Sequence, residues 1–301
     1  MNTQATNVTE SSQAFAPSLA ASLRPVYWSV RRELWENRWI YVALAVAAVL
    51  FLLGFTISVL HLGHYSHMES PSYLRQSLAA QYELAPAMIM GAAIIVSIFY
   101  CLEALYGERR DRSILFWKSL PVSDVKAVIA KLAIPILILP LISFVITVAT
   151  QLLMLVISSV ILAGSGVNIV DLWREASSVR VPAIWLYHLV TVHGLFYAPL
   201  YCWFLLISAW APRAPFLWAF LPPFVVYGVE RIAFNTTYFW NMLHYRLIGP
   251  GEGMSNEHHQ DFVSTLIPHH FLSTPGLWSG LLVAAVFLYL TVQLRRSRGP
   301  I

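Results

Sequence analysis

The 301-residue sequence predicts an all-α polytopic membrane protein with six transmembrane helices, an N-terminal interfacial helix and a short cytoplasmic helix between the second and third spans. Three observations carry this. Hydrophobic residues make up 58% of the chain and charged residues 11%, too little polar surface to cover an aqueous globule. Apolar runs of about 20 residues, the length that crosses a hydrocarbon core of about 30 Å, recur along it. Most Lys and Arg abut those runs, as orientation signals do, so the net charge of +4 belongs to membrane topology and nucleic acid is excluded as a partner.

Residues 1–24 are rich in Ser, Thr, Ala, Gln and Asn and hold no apolar signal-peptide core, which reads as a flexible cytoplasmic tail. In 25–38, PVYWSVRRELWENR, Pro25 suits a first helical turn, and Trp28, Trp35 and Trp39 recur at helical spacing. Arg31, Arg32, Glu33 and Glu36 fall largely elsewhere around the helix. The pattern predicts a helix lying in the interface with its indoles at headgroup depth; a plain extension of the first span is the alternative. The first span covers 39–60, a polar loop 61–84, and the second span 85–106, with Pro86, Gly91, Ala92 and Ala93 for close packing.

From 127 to 163 the chain is apolar, and one helix of that length would reach roughly 55 Å. No polar turn divides it, so it reads as one long third span bent at Pro135 and Pro140. A polar connection, 164–181, carries a short interfacial helix near 171–177. The fourth span covers 182–210, the turn APRAP leads into the fifth span at 216–229, and 230–275 forms a large outer region. The last span, 276–294, runs into a cytoplasmic tail at 295–301. Of the nineteen Lys and Arg, five (Arg75, Arg174, Arg180, Arg231 and Arg246) fall on one side and the others opposite, with both ends of the chain. That bias places both termini in the cytoplasm, with residues 25–294 as a single transmembrane domain.

The loop 107–126, GERRDRSILFWKSLPVSDVK, sets an apolar helical piece among cations. Ser113 suits the N-cap of a helix through Ile114, Leu115, Phe116, Trp117, Lys118, Ser119 and Leu120; Pro121 stops it, and Ser123 or Asp124 caps the next helix. Two turns of helix are marginal alone in water, so these apolar side chains need a surface. Two surfaces fit. One is the protein's own spans, with Arg109, Arg110, Arg112 and Lys118 snorkelling to anionic lipid; the other is a groove on a soluble partner.

The order of elements, with Glu108-Arg109-Arg110, Ser113-Ile114-Leu115 and Ser119-Leu120-Pro121-Val122-Ser123, closely resembles permease subunits of the type 2 ABC exporter family. The motif covers under a tenth of the chain and the architecture nearly all of it. The resemblance implies that the short helix Ile114–Leu120 is a coupling helix seated on an ATPase subunit, with Glu108, Arg109, Arg110, Arg112, Ser113 and Pro121 of its loop sharing in the coupling, that 25–38 is an elbow helix, and that the turn holding Arg213 is a smaller ATPase contact. It implies a unit of two permeases, identical or homologous, and two ABC ATPases, in the inner membrane and in contact with its lipid. No GxxxxGK[ST] phosphate loop occurs in the sequence, so ATP and Mg are expected on the partner and no cofactor on this chain. The second and fifth spans would line the path, which makes Met88, Phe99, Phe220, Phe224 and Tyr227 candidates for an adaptable lining, with lipid-facing or packing roles as the alternative.

Other signals are weaker. His61, His64 and His67, with His258, His259, His269 and His270, are more simply loop histidines than zinc ligands, and no metal site is expected. His188, His193 and Glu103 are ionisable groups near membrane depth, and Glu103 has Arg109 and Arg110 within reach. Glu230 and Arg231 either cap a re-entrant turn or mark the bilayer edge. Cys101 and Cys202 lie in apolar runs, without redox spacing. Gly276, Gly280 and Ala284 form a small-residue stripe that favours close helix packing. An exporter of hydrophobic or amphipathic compounds is the leading expectation; an intramembrane enzyme would need a constellation that is not visible, and a histidine-rich sensor or scaffold is a third class.

Overall fold

The structure is a computed structural model that describes residues 19–65, 71–119, 122–163, 194–248 and 274–301. Among these the chain is helical and without strands: α1 Leu19–Glu36, α2 Trp39–Tyr65, α3 Pro71–Ala104, α4 Tyr106–Arg110, α5 Ser113–Ser119, α6 Asp124–Ala133, α7 Leu139–Ile161, α8 Ala198–Trp210, α9 Pro215–Val229, α10 Tyr238–Ile248 and α11 Pro275–Ser297. Among the described residues, five helical stretches are long and apolar enough to cross a membrane: Trp39–Leu62, Gln76–Arg110, Asp124–Ile161, Pro215–Phe234 and Pro275–Ser297. The chain is therefore an all-α protein with several membrane-spanning helices. Ala198–Trp210 is apolar but shorter, and the expected start of that span, 182–193, lies outside the described residues.

Several boundaries differ from the sequence reading. The expected loop 61–84 is mostly helix, because α2 continues to Tyr65 and α3 begins at Pro71. Its polar residues pair across helices: Gln81 donates to Ser58 Oγ (3.0 Å), and the Tyr82 hydroxyl and Ser158 Oγ share a hydrogen bond (3.4 Å). The N-terminal helix starts at Leu19, so 19–24 is not a tail and Pro25 is not in its first turn. The helix expected as the fifth span extends through a π-helical turn, Glu230–Phe234, and the last helix continues to Ser297.

Proline positions shape the spans. A proline removes the N–H that would bond the carbonyl four residues earlier, and in a bilayer no water replaces it. Pro135 lies inside a π-helical turn, Ile134–Ile138, and Pro140 just after it, and the turn joins α6 to α7 in one stretch. There the ladder lengthens by one residue, Leu139 N donating to Ile134 O. Pro86 orphans the Tyr82 carbonyl, which accepts from Gln151 Nε2 of α7 (3.5 Å). Pro223 orphans the Ala219 carbonyl, which accepts from the Trp203 indole of α8 (3.1 Å).

The helix α8 is the hub. Tyr201, Phe204 and Leu205 join Ile40 and Leu44 of α2 with Ala93, Val96 and Tyr100 of α3 in the main core. Ala198 and Cys202 pack against Ala284 of α11, so the small-residue stripe serves close helix packing. A second cluster, with Phe55, Leu78, Ala85 and Met154, joins α2, α3 and α7 towards the other end. There Glu230 accepts from Thr236 Oγ1 (2.9 Å) and from the Tyr238 and Phe239 amides (2.6 and 2.9 Å), capping α10 after a turn through left-handed Asn235. Arg246 of α10 donates to the Phe196 and Gly276 carbonyls, with its guanidinium 4.7 Å from the Phe196 ring centroid. Gly280 lies beneath it, and a Cβ there would displace the guanidinium from this position.

The substitution Trp203→Phe leaves the Ala219 carbonyl without its donor and costs about 1–3 kcal/mol. Pro223→Ala restores a backbone N–H, so the same substitution in that background costs clearly less when unfolding is followed in detergent. Equal costs in both backgrounds would show that the indole does not serve the orphaned carbonyl.

Candidate functional site

Four segments meet at one end of the bundle: α1, residues 105–119 with 122–126, the turn 211–214 and the C-terminal residues. They are joined by helix ends. The last carbonyls of α8 have no partner within the helix, and two guanidiniums from elsewhere take them. Arg109 Nη1 donates to Ala209 O (2.7 Å) and Ala211 O (3.2 Å), and Arg298 Nη1 donates to Trp210 O. One residue earlier, Ser208 Oγ accepts from the amides of Leu105 and Tyr106 at the break between α3 and α4 (3.0 and 2.9 Å).

Beneath this lies a cluster of three carboxylates and three cations, in which Glu33, Glu108, Lys131 and Arg295 are buried and Arg32 and Asp124 lie at the edge. Glu33 of α1 accepts from Lys131 Nζ of α6 (2.8 Å), from Arg32 (2.9 Å) and from the Tyr100 hydroxyl of α3 (3.0 Å). Glu108 of α4 pairs with Lys131 (3.1 Å), with Arg295 of α11 and, more loosely, with Arg32 (3.8 Å). The Arg295 Nε donates to Asp124 Oδ1 (3.1 Å). The charges balance, which buried ions require, because each unpaired ion would cost several kcal/mol. Burial pushes the Glu33 carboxyl up, but Lys131 and Arg32 outweigh it and hold Glu33 below its ordinary value. At the rim, burial holds Glu36 above its ordinary value despite Arg32.

The helix α5 sits on this cluster through Trp117, with the Arg32 guanidinium 3.5 Å from the ring centroid. Ile114 points inward, 2% exposed, while Leu115 and Phe116 are each 59% exposed. Ser113 is the first helical residue and not the N-cap; Arg112 precedes it in the left-handed region (φ 59°), and the Ser113 hydroxyl turns back to Glu108 O (3.5 Å). Ser123 does cap α6, accepting from Lys126 N (3.4 Å). Lys118 Nζ donates to the Arg296 and Arg298 carbonyls (3.4 and 3.1 Å), and Ile301 N donates to Arg109 O (3.2 Å), so the C-terminal residues strap α5 to the bundle.

The sequence-predicted residues thus divide. Glu108, Arg109 and Ile114 are buried and hold the fold together; Trp117 is braced by Arg32; Leu115, Phe116, Arg110, Arg112 and Lys118 face outward, with Arg110 also pairing with Glu103 (2.8 Å). Arg213 is exposed in its turn, and Leu120 and Pro121 lie outside the described residues. Of the proposed lining, Phe99 stacks on Phe216 (6.2 Å), which meets Phe220 (4.6 Å). Met88 and Phe224 are exposed, and Tyr227 packs on Trp240 (5.2 Å). His67, His188, His193, the four histidines of 258–270 and the expected helix near 171–177 lie outside the described residues.

Sequence reading missed the cluster formed by Glu33, Lys131, Asp124, Arg295 and Tyr100. Lys131, a cation inside a long apolar run, was its one available signal. Comparison with family models, with curated proteins and with solved structures finds no match to this chain.

The depressed Glu33 value has a pH consequence. Its contribution to stability is full above the ordinary value of 4.5 and is lost as pH falls through the lower folded value, whereas Glu36 acts with the opposite sign. Thermal unfolding in detergent is expected to show a loss of Tm on acidification from about pH 5 to about pH 3 that is smaller in Glu33→Gln. Parallel wild-type and variant profiles would contradict the assignment.

Proposed function

We propose that the chain is the membrane-spanning permease subunit of an ATP-driven exporter of the type 2 ABC kind, moving a hydrophobic or amphipathic compound out of the cytoplasm or the inner leaflet. Two copies, or this chain and a homologous permease, work with two ATPase chains that bind ATP and Mg. The cationic end faces the cytoplasm, as the Lys and Arg bias favours, and the surrounding membrane is the inner membrane.

The observation that carries this reading is the short helix α5. It presents Leu115 and Phe116 outward among Arg110, Arg112 and Lys118, an apolar knob with a cationic rim suited to a groove with acidic edges. Its opposite face leads through Trp117 to Arg32, then to Glu33 and Glu108, and from them to Lys131 in the third span and Arg295 in the last. A push on the knob is thereby delivered to α1, α6 and α11 as one body. ATP binding draws the ATPases together, the two knobs follow, and the spans pass between inward-facing and outward-facing packings. Phe99, Phe216 and Phe220, on two helices assigned to the path, offer a surface that adapts to apolar cargo.

The test is co-expression with an ABC ATPase from the same genome, followed by purification in detergent. The wild-type chain is expected to retain the ATPase, and Leu115→Ala/Phe116→Ala to weaken that complex by about 2 kcal/mol, roughly 30-fold, with Tm unchanged. Retention of the ATPase at full strength by the double variant, or no retention by the wild type, would sink the proposal.

A further inference from the structure

An apolar groove of about 300 Å³ opens between α8, α9 and the C-terminal part of α11. Trp203, Leu206, Trp210, Trp218, Pro222 and Leu294 line it, and no polar side chain does. Its walls are fixed by contacts already made: Trp203 is held by the Ala219 carbonyl, and Trp210 meets Trp218 edge-to-face at 4.9 Å. The groove persists because α9 stands off the bundle, with Ala219 its one buried residue. It faces outward, towards what surrounds the spans.

Its position defines the occupant. Trp210 and Trp218 flank the turn 211–214, and Leu294 lies one turn before Arg298, so the groove ends at the cationic end of the bundle. Arg298 reaches the Trp210 carbonyl there. Arg213 is exposed in the turn itself, and among the described residues no hydrogen bond or ion pair engages its guanidinium. Water is a poor filling for walls without polar partners. A helix, about 10–12 Å across with its side chains, is too thick for a groove of this size. A flexible apolar chain with an anionic head matches both the slot and the charge at its mouth, and basic pockets between spans bind anionic headgroups in this manner.

We propose that this groove is a binding site for an anionic phospholipid, one acyl chain lying against Trp203, Trp210 and Trp218 and the phosphate meeting Arg213. This gives Arg213 a lipid partner where the sequence resemblance implied an ATPase contact. The inference needs only a membrane-embedded chain and does not rest on the exporter reading.

The experiment uses the full chain, delipidated in mild detergent and exposed to phosphatidylglycerol or phosphatidylcholine with identical chains, with retained lipid counted by native mass spectrometry. Wild type is expected to retain phosphatidylglycerol with a preference of about fivefold, the increment one basic residue supplies, and Arg213→Gln to lose that preference. Leu206→Trp, which fills the groove, is expected to reduce retention of both lipids. Should that variant fail to fold, phosphatidylglycerol brominated along its chains must quench the wild-type tryptophan fluorescence more strongly than brominated phosphatidylcholine. Equal retention of the two lipids by wild type, an unchanged preference in Arg213→Gln, equal quenching, or a lipid-free dimer that covers the groove would each overturn the proposal.

Discussion

Charge neutrality in a buried place is the constraint on which this end of the molecule depends. Lys131 is buried within the long apolar run that follows Lys126, and an ammonium there is tolerable only with carboxylates at hydrogen-bond distance. Glu33 and Glu108 supply them, Arg32 and Arg295 balance the second negative charge, and Asp124 balances Arg295. The six ions come from four elements, so satisfying them fixes where α1, α4, α6 and α11 can lie. Such a cluster is weak evidence for stability, because well-packed apolar residues could replace it at little cost; what it supplies is a single permitted arrangement of helix ends.

Backbone groups obey the same rule. A proline inside a span removes one ladder N–H, and two of the carbonyls left behind are served by side chains on other helices, Gln151 for Pro86 and Trp203 for Pro223. The end of α8 is served by Arg109 and Arg298. The arginines that look like a surface motif in the sequence are thus divided between two tasks. Arg109 closes a helix end inside the protein, while Arg110 and Arg112 remain outside beside the exposed face of α5.

The sequence made the long apolar spans legible because a membrane leaves the backbone little choice but helix, and length alone then marks a crossing. The single stretch Asp124–Ile161 was legible for the same reason, its two prolines being absorbed by a π-helical turn. The region 61–84 was misread as loop because polarity was taken for solvent exposure, whereas Gln81 and Tyr82 face partners on α2 and α7. The cluster was illegible for a different reason. Glu108 and Arg295 are 187 residues apart, and Glu33 and Lys131 are 98 apart, and no local pattern reports such pairings. Read locally, Glu108 and Arg109 are members of a charged loop; only the tertiary fold shows that they are interior.

The central claim is that these charges act as one coupled unit tying the cationic end together, and a double-mutant cycle on Glu108 and Arg295 tests it most directly. Unfolding of Glu108→Gln, Arg295→Met and the double variant would be measured in detergent at neutral pH. Each single change strands a buried partner and should cost about 3 kcal/mol or more, while the double change should cost less than their sum by about 1.5 kcal/mol or more. Costs that add to within about 0.5 kcal/mol would show that the two ions are independent and would contradict the account.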